Sequence, residues 1–348
     1  QIDEWNHNPT IVDAAKRSLV PQEAILSQLV DIESLNEPED ILLKGNFAYI
    51  PCRDGNNVAI IDIKNPAKPV MAATLKDPDI LDAFSVAIEK EHLFVLSMTN
   101  AVISVYNIVN PYRPKKVAAI KVGGEGSYLK DYRSNYTRLR KIVVQDGYAY
   151  VTHSSESKVY VLDVKQPAAP VVISSFHTGD GAFAALVQQN TLYLAAYGPG
   201  SSIITVDISN KKNPVITSKI YNPVTMKGTC ALAIKGQHLY VTAYNAETIW
   251  SLNIKDPMHP VVVQTISDAS MRGPGRIAFY KDWAFVLNSV NNSVAVIKTD
   301  GEGKMKIITY LQHPLLKRVY GIAIEDDQLM LAGREAKSFM VLNINKLL

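Results

Sequence analysis

The chain has 348 residues, of which 47% are apolar and 20% charged, and its 36 basic against 33 acidic side chains leave a formal charge of +3. That balance is too even to imply nucleic acid or an anionic membrane from charge alone, and the apolar content excludes a disordered chain. Aliphatic runs such as Val171–Ile173 and Val261–Val263 fall far short of the roughly 20 residues needed to span a bilayer as a helix, so no transmembrane segment is expected.

In chain order, residues 1–23 form an N-terminal extension. Gln1 opens it without a methionine, as trimming or removal of an export leader would leave, and the reading taken is export. Residues 24–29 (AILSQL) resemble the last strand of a sheet whose other strands are missing at that point. Seven strands with a large residue at their centre then follow: FAYIP, LFVLS, AYVTH, LYLAA, LYVTA, AFVLN and LMLAG. Aligning them makes Tyr49, Phe94, Tyr150, Tyr193, Tyr240, Phe285 and Met330 equivalent, at intervals of 45, 56, 43, 47, 45 and 45 residues. Such a period belongs to propeller blades.

Each anchor is preceded by an alternating apolar strand and followed by a polar loop. A β-branched run then ends in Asp62, Asn107, Asp163, Asp207, Asn253 or Asn343. Proline pairs such as Pro66 and Pro69 come next, and proline suits a strand-ending turn rather than a strand interior. These Asp and Asn side chains are expected to bond local backbone amides. A fourth strand completes each copy except the last, where the chain ends at Leu348.

The expected fold is therefore all-β: a seven-bladed β-propeller of four-stranded antiparallel blades, one domain over 1–348, its ring closed when residues 24–29 complete the last blade. The blades run over about 39–77, 84–122, 138–178, 183–222, 230–268, 275–313 and 320–348, with an inserted loop at 123–137. An open solenoid or two sandwiches is the competing arrangement. It leaves the spare strand at one end and the missing strand at the other unexplained.

The strings AIIDIKNPAKPV (59–70) and VYVLDVKQPAAPVV (159–172) resemble the LVIVD repeat, a hydrophobic strand followed by an aspartate and an Asn-Pro-x-x-Pro turn. The resemblance extends from about residue 39 to 348 and is weakest in blade six, where Gly301 and Lys304 replace the turn prolines. It implies an exported or surface-associated propeller and transfers no catalytic residue.

In such blades the B–C and D–A loops share one face, here called the mouth face, and the proline turns share the other. The insertion GGEGSYLKDYRSNYTRLRK falls on the mouth face. Its Tyr128, Tyr132, Arg133, Tyr136 and Arg138 are the candidate partner-binding residues, because tyrosine and arginine dominate contact energies at interfaces. Positions ten and nine before each anchor should ring the channel mouth, which singles out Glu39, Asp40, Phe84, Arg140, Phe183, Arg276 and Tyr320. The arginines could hold an anion and the rings could stack.

No HExxH, GxSxG, P-loop, GxGxxG or CxxC pattern occurs, so no catalytic residue, cofactor or metal site is assigned. His92 and His238 are expected at the surface, and Cys52 and Cys230 lie too far apart around the ring for a disulfide. The functional expectation is a non-catalytic, monomeric propeller that binds a protein or glycan partner and no nucleic acid. A lactonase-like, metal-dependent hydrolase using Glu39 and Asp40 is the alternative.

Overall fold

A computed structural model describes residues 2–4, 10–11, 16–123, 139–198 and 200–348. It contains seven antiparallel sheets arranged as the blades of one propeller. Blade four is representative, with strand A at Ala182–Gln188, B at Thr191–Ala196, C at Ser202–Asp207 and D at Val215–Tyr221. The A–B hairpins turn tightly through a left-handed residue that recurs blade after blade, including Lys90, Asp146, Gln189, Lys281 and Asp326 at φ between 50° and 53°.

The last blade is completed by Ile25–Val30, which runs antiparallel to Ser338–Asn343 with Leu29 opposite Phe339 and Ser27 opposite Val341. Segments 25–30 and 338–343, at opposite ends of the repeat array, thus share one sheet. The three residues before Pro38 and the strand Phe47–Cys52 of blade one pack on this blade through Leu35, Ile50, Phe339 and Val341, all fully buried. Closure therefore hides apolar surface as well as strand edges.

The anchors Tyr49, Phe94, Tyr150, Tyr193, Tyr240, Phe285 and Met330 are each at most 1% exposed. They sit between blades: Phe94 packs against Ile142 and Val151 of blade three, and Tyr150 against Leu192 and Leu194 of blade four. One large side chain per blade thus wedges each sheet against the next, which explains the period seen in the sequence.

The turn chemistry follows the repeat. Asp62, Asn107, Asp163, Asp207 and Asn253 accept a hydrogen bond from the backbone amide two residues on, at 2.8–3.0 Å. Blade six lacks the proline turn. There Asp300 accepts from the amides of Glu302 and Lys304 instead.

Two features depart from the sequence reading. The N-terminal extension contributes short strands, Ile2–Glu4, Thr10–Ile11 and Lys16–Leu19, which pair in parallel with the outermost strands of blades four, five and six. They cover edges that would otherwise present unpaired backbone groups. His238 is also not a surface residue. It is 7% exposed and packs so closely under the blade-six turn that a Cβ on Gly303 would lie 2.4 Å from its ring.

Candidate functional site

The mouth is built by one backbone device repeated around the ring. In blade four Ala182 pairs with Ala196 and Ala184 with Ala195, so Phe183 is left out of the ladder. The same one-residue bulge expels Phe84 in blade two, Cys230 in blade five and Tyr320 in blade seven. In blades three and six two residues oppose one, Arg140 with Lys141 and Gly275 with Arg276. Blade one follows suit between its Pro38–Cys52 bridge and the Leu42–Tyr49 pair, a stretch that holds Glu39 and Asp40. A bulge re-aims a side chain and ends regular pairing, and here each one delivers a residue to the mouth.

Glu39, Phe84, Arg140, Phe183, Cys230, Arg276 and Tyr320 line a cavity of about 490 Å³ at this end of the channel. Asp40 does not line it. Its carboxylate lies behind the wall, 3.2 Å from Lys141 Nζ and 3.4 Å from Arg276 Nε. Burial alone would raise the Asp40 pKa, but the charges of Arg276 and Lys141 outweigh it and hold the carboxyl below its ordinary value. Burial likewise lowers Lys141 against the pull of Asp40.

A second ring, four residues after each anchor, completes the wall: Arg53, Ser154, Tyr197, Tyr244, Ser289 and Arg334. The equivalent residue of blade two, Met98, accepts a hydrogen bond from Arg140 Nη1 at 3.4 Å. Arg318, from the loop entering blade seven, also reaches the cavity. The alignment that identified the first ring contained this one too, since the first residue beyond strand B must sit beside the start of strand A.

The two rings divide the cup into unlike sectors. On one side Phe84 and Phe183 meet edge to face at 6.2 Å, Tyr197 lies 5.5 Å from Phe183, and the Arg140 guanidinium sits 5.2–5.3 Å from both phenylalanine rings. Cation–π contact holds that arginine against the aromatic wall. On the other side three arginines surround Tyr320. Arg334 stacks 3.7 Å over its ring and bonds Glu39, Arg276 donates to the carbonyl oxygens of Glu39 and Tyr320, and Arg318 lies 5.9 Å from the same ring.

Five arginines stand on the wall against one carboxylate, that of Glu39. Glu39 is fully buried, held by Arg334 and 3.9 Å from Arg53 Nε, yet its Oε2 has no hydrogen-bond partner among the described residues. A buried acceptor in that condition is costly unless something bonds it. Cys230 also faces the cup, but burial raises its pKa, so its thiol stays protonated at neutral pH and is a poor nucleophile. Cys52 and Cys230 are both free thiols.

Among the described residues no group of three or more His, Cys, Asp and Glu side chains is placed to hold a metal ion. No helix among them is long and apolar enough to cross a membrane. Tyr128, Tyr132, Arg133, Tyr136 and Arg138 lie outside the described residues.

The chain is thus a seven-bladed propeller with an arginine-rich, aromatic-walled cup at one mouth. It carries LVIVD repeats, matched at residues 37–77 and 139–178, which are blades one and three. Among curated proteins none matches the chain in sequence. Solved propellers share its fold. Virginiamycin B lyase from Staphylococcus aureus has a TM-score of 0.69 at 11% identity over 91% of this chain and 98% of its own. The WD40 propeller domain of Doa1 has a TM-score of 0.67 at 10% identity, covering 92% and 96%. A propeller in the mitotic checkpoint complex has a TM-score of 0.68 at 10% identity, covering 99% and 98%. Likeness at such identity shows the fold alone.

Proposed function

We propose that this chain is a non-catalytic recognition propeller, exported or surface-associated and monomeric, that binds a protein or glycan partner through its mouth face. The observation that carries this reading is the cup itself. Its volume falls in the range of sites that enclose a small ligand or one protruding unit of a larger one. Its wall combines arginines already fixed by carbonyl and carboxylate partners with stacked rings, and fixed donors lose little freedom when they bind. Arginine and tyrosine are also the residues on which interface energy concentrates. The insertion bearing Tyr128, Tyr132, Arg133, Tyr136 and Arg138 enters the proposal through its sequence, as a lip beside the cup. Export rests on the LVIVD resemblance.

The hydrolase alternative draws less support. Glu39 and Asp40, the carboxylates it needs as ligands, are each engaged by arginine or lysine.

An array carrying both glycans and peptides tests the reading. Features bound by the chain should be lost when Phe183→Ala and Arg318→Ala are combined, with the melting temperature unchanged within a few degrees. Binding indifferent to that pair, or no bound feature of either kind, would overturn it.

A further inference from the structure

Resting on recognition at this mouth, we propose that the group the cup takes is a sugar acid: a pyranose ring carrying a carboxylate, free or at the end of a glycan. Three features of the wall converge on that chemistry.

The first is a pair of guanidinium groups that keep unused amino donors beside their ion pairs with Asp40 and Glu335. Arg276 uses Nε and Nη2 on the carbonyl oxygens of Glu39 and Tyr320 at 2.8–3.1 Å, which leaves Nη1 without a partner among the described residues. Arg318 pairs with Glu335 through Nε at 3.8 Å, which leaves both its amino groups without a partner among the described residues. Two guanidinium groups held on one side of a cavity suit a carboxylate, whose two oxygens accept the forked donors.

The second is the aromatic sector opposite, where Phe84 and Phe183 meet edge to face and Tyr197 lies 5.5 Å from Phe183. A ring with an apolar face packs on such a wall, and a flexible aspartyl or glutamyl side chain does not fill it.

The third is Glu39 Oε2: Glu39 lines the cup, and this buried oxygen has no hydrogen-bond partner among the described residues. A carboxylate oxygen accepts, so its partner must be a donor. A ligand hydroxyl supplies one. An acidic peptide such as polyglutamate offers carboxylates and N–H donors without a ring, and an unsubstituted aromatic acid offers ring and carboxylate without a donor hydroxyl. A sugar acid brings all three.

Titration calorimetry on the full chain tests the proposal with glucuronate, its methyl glycoside, its methyl ester, glucose and tetraglutamate. Glucuronate should bind at least tenfold more tightly than ester, glucose or peptide. Comparing the free acid with the glycoside separates a free sugar acid from a glycan terminus. Arg318→Gln, at a half-exposed position, should bring the acid down to the level of the ester while leaving the melting temperature unchanged.

Equal binding of acid and ester by the unmodified chain, tighter binding of tetraglutamate, or no binding of any probe overturns the sugar-acid assignment. Array binding that still depends on Phe183 and Arg318 would then leave the recognition reading standing. Array binding indifferent to them removes both.

Discussion

Ring closure can be tested by locking it. Val30 and Ser338 face each other at the end of the closing pair. Directly opposed residues of antiparallel strands have Cα atoms about 4.5 to 5.5 Å apart, within disulfide reach. Replacing both by cysteine, with Cys230→Ser to remove a competing thiol, should give a cross-link on mild oxidation of the folded protein. The loop it closes holds about 308 residues, for which the chain-entropy relation gives at most about 5.7 kcal/mol. Native disulfides and engineered ones commonly deliver about 2–4 kcal/mol. The lost Ser338 Oγ hydrogen bond to Leu315 O is common to the oxidised and reduced forms and cancels in their comparison.

Unfolding entropy scales at about 2.1 cal/mol/K per residue. For a chain of 348 residues a gain of about 2–4 kcal/mol therefore corresponds to a melting temperature higher by about 3–5 °C when oxidised than when reduced. The assay is paired thermal melts with and without reductant, with the bond verified by mass. Failure of the bond to form in the folded protein, or a lower melting temperature once it has formed, would refute the pairing of chain ends.

Three further outcomes follow from the packing. Phe285 is fully buried between blades six and seven, so Phe285→Ala should cost about 3–5 kcal/mol in urea unfolding; a loss under 1 kcal/mol would contradict its role as a wedge. Arg334→Ala leaves the Glu39 carboxylate buried with Arg53, 3.9 Å away, as its remaining ion-pair partner among the described residues, and should destabilise by about 3–5 kcal/mol, much of it recovered by adding Glu39→Gln; absence of recovery would argue against a coupled pair.

Burial lowers the His153 pKa from its usual 6.5 despite the opposing charge of Glu156, with Lys158 adding to the lowering. The unfolded chain then binds that proton first, so stability falls as pH drops below about 6.5, by at most about 1.4 kcal/mol per unit. His153→Gln should flatten that part of the profile, and an unchanged slope would assign it elsewhere.

The blade repeat was legible because one buried side chain per blade sets the packing between sheets, and a period of that kind survives in the residue types. The bulged ring of the mouth was legible by position alone. That Phe183 or Tyr320 is expelled from its ladder is a matter of register, which no residue type announces. The second ring, from Arg53 to Arg334, lies in the same alignment, but its mixture of arginine, methionine, serine and tyrosine gives no shared residue type to mark the position.

The short outer strands at Ile2–Glu4 and Thr10–Ile11 carry no alternation or turn signal, since edge pairing in parallel asks only for backbone groups. His238 looked exposed because it opens a strand after a polar turn, and only the neighbouring blade's Gly303 buries it. Asp40 and Glu39 looked like potential ligands because sequence cannot show that arginines from blades six and seven reach across to them.

Hydrogen exchange of the chain with and without a bound partner or sugar acid tests the central claim most directly. Slowed exchange at the mouth, in the stretches around Glu39, Phe183, Arg276, Tyr320 and Arg334, is the result this account predicts. Protection confined to the proline turns of the opposite face, or to the outer strands, would contradict it.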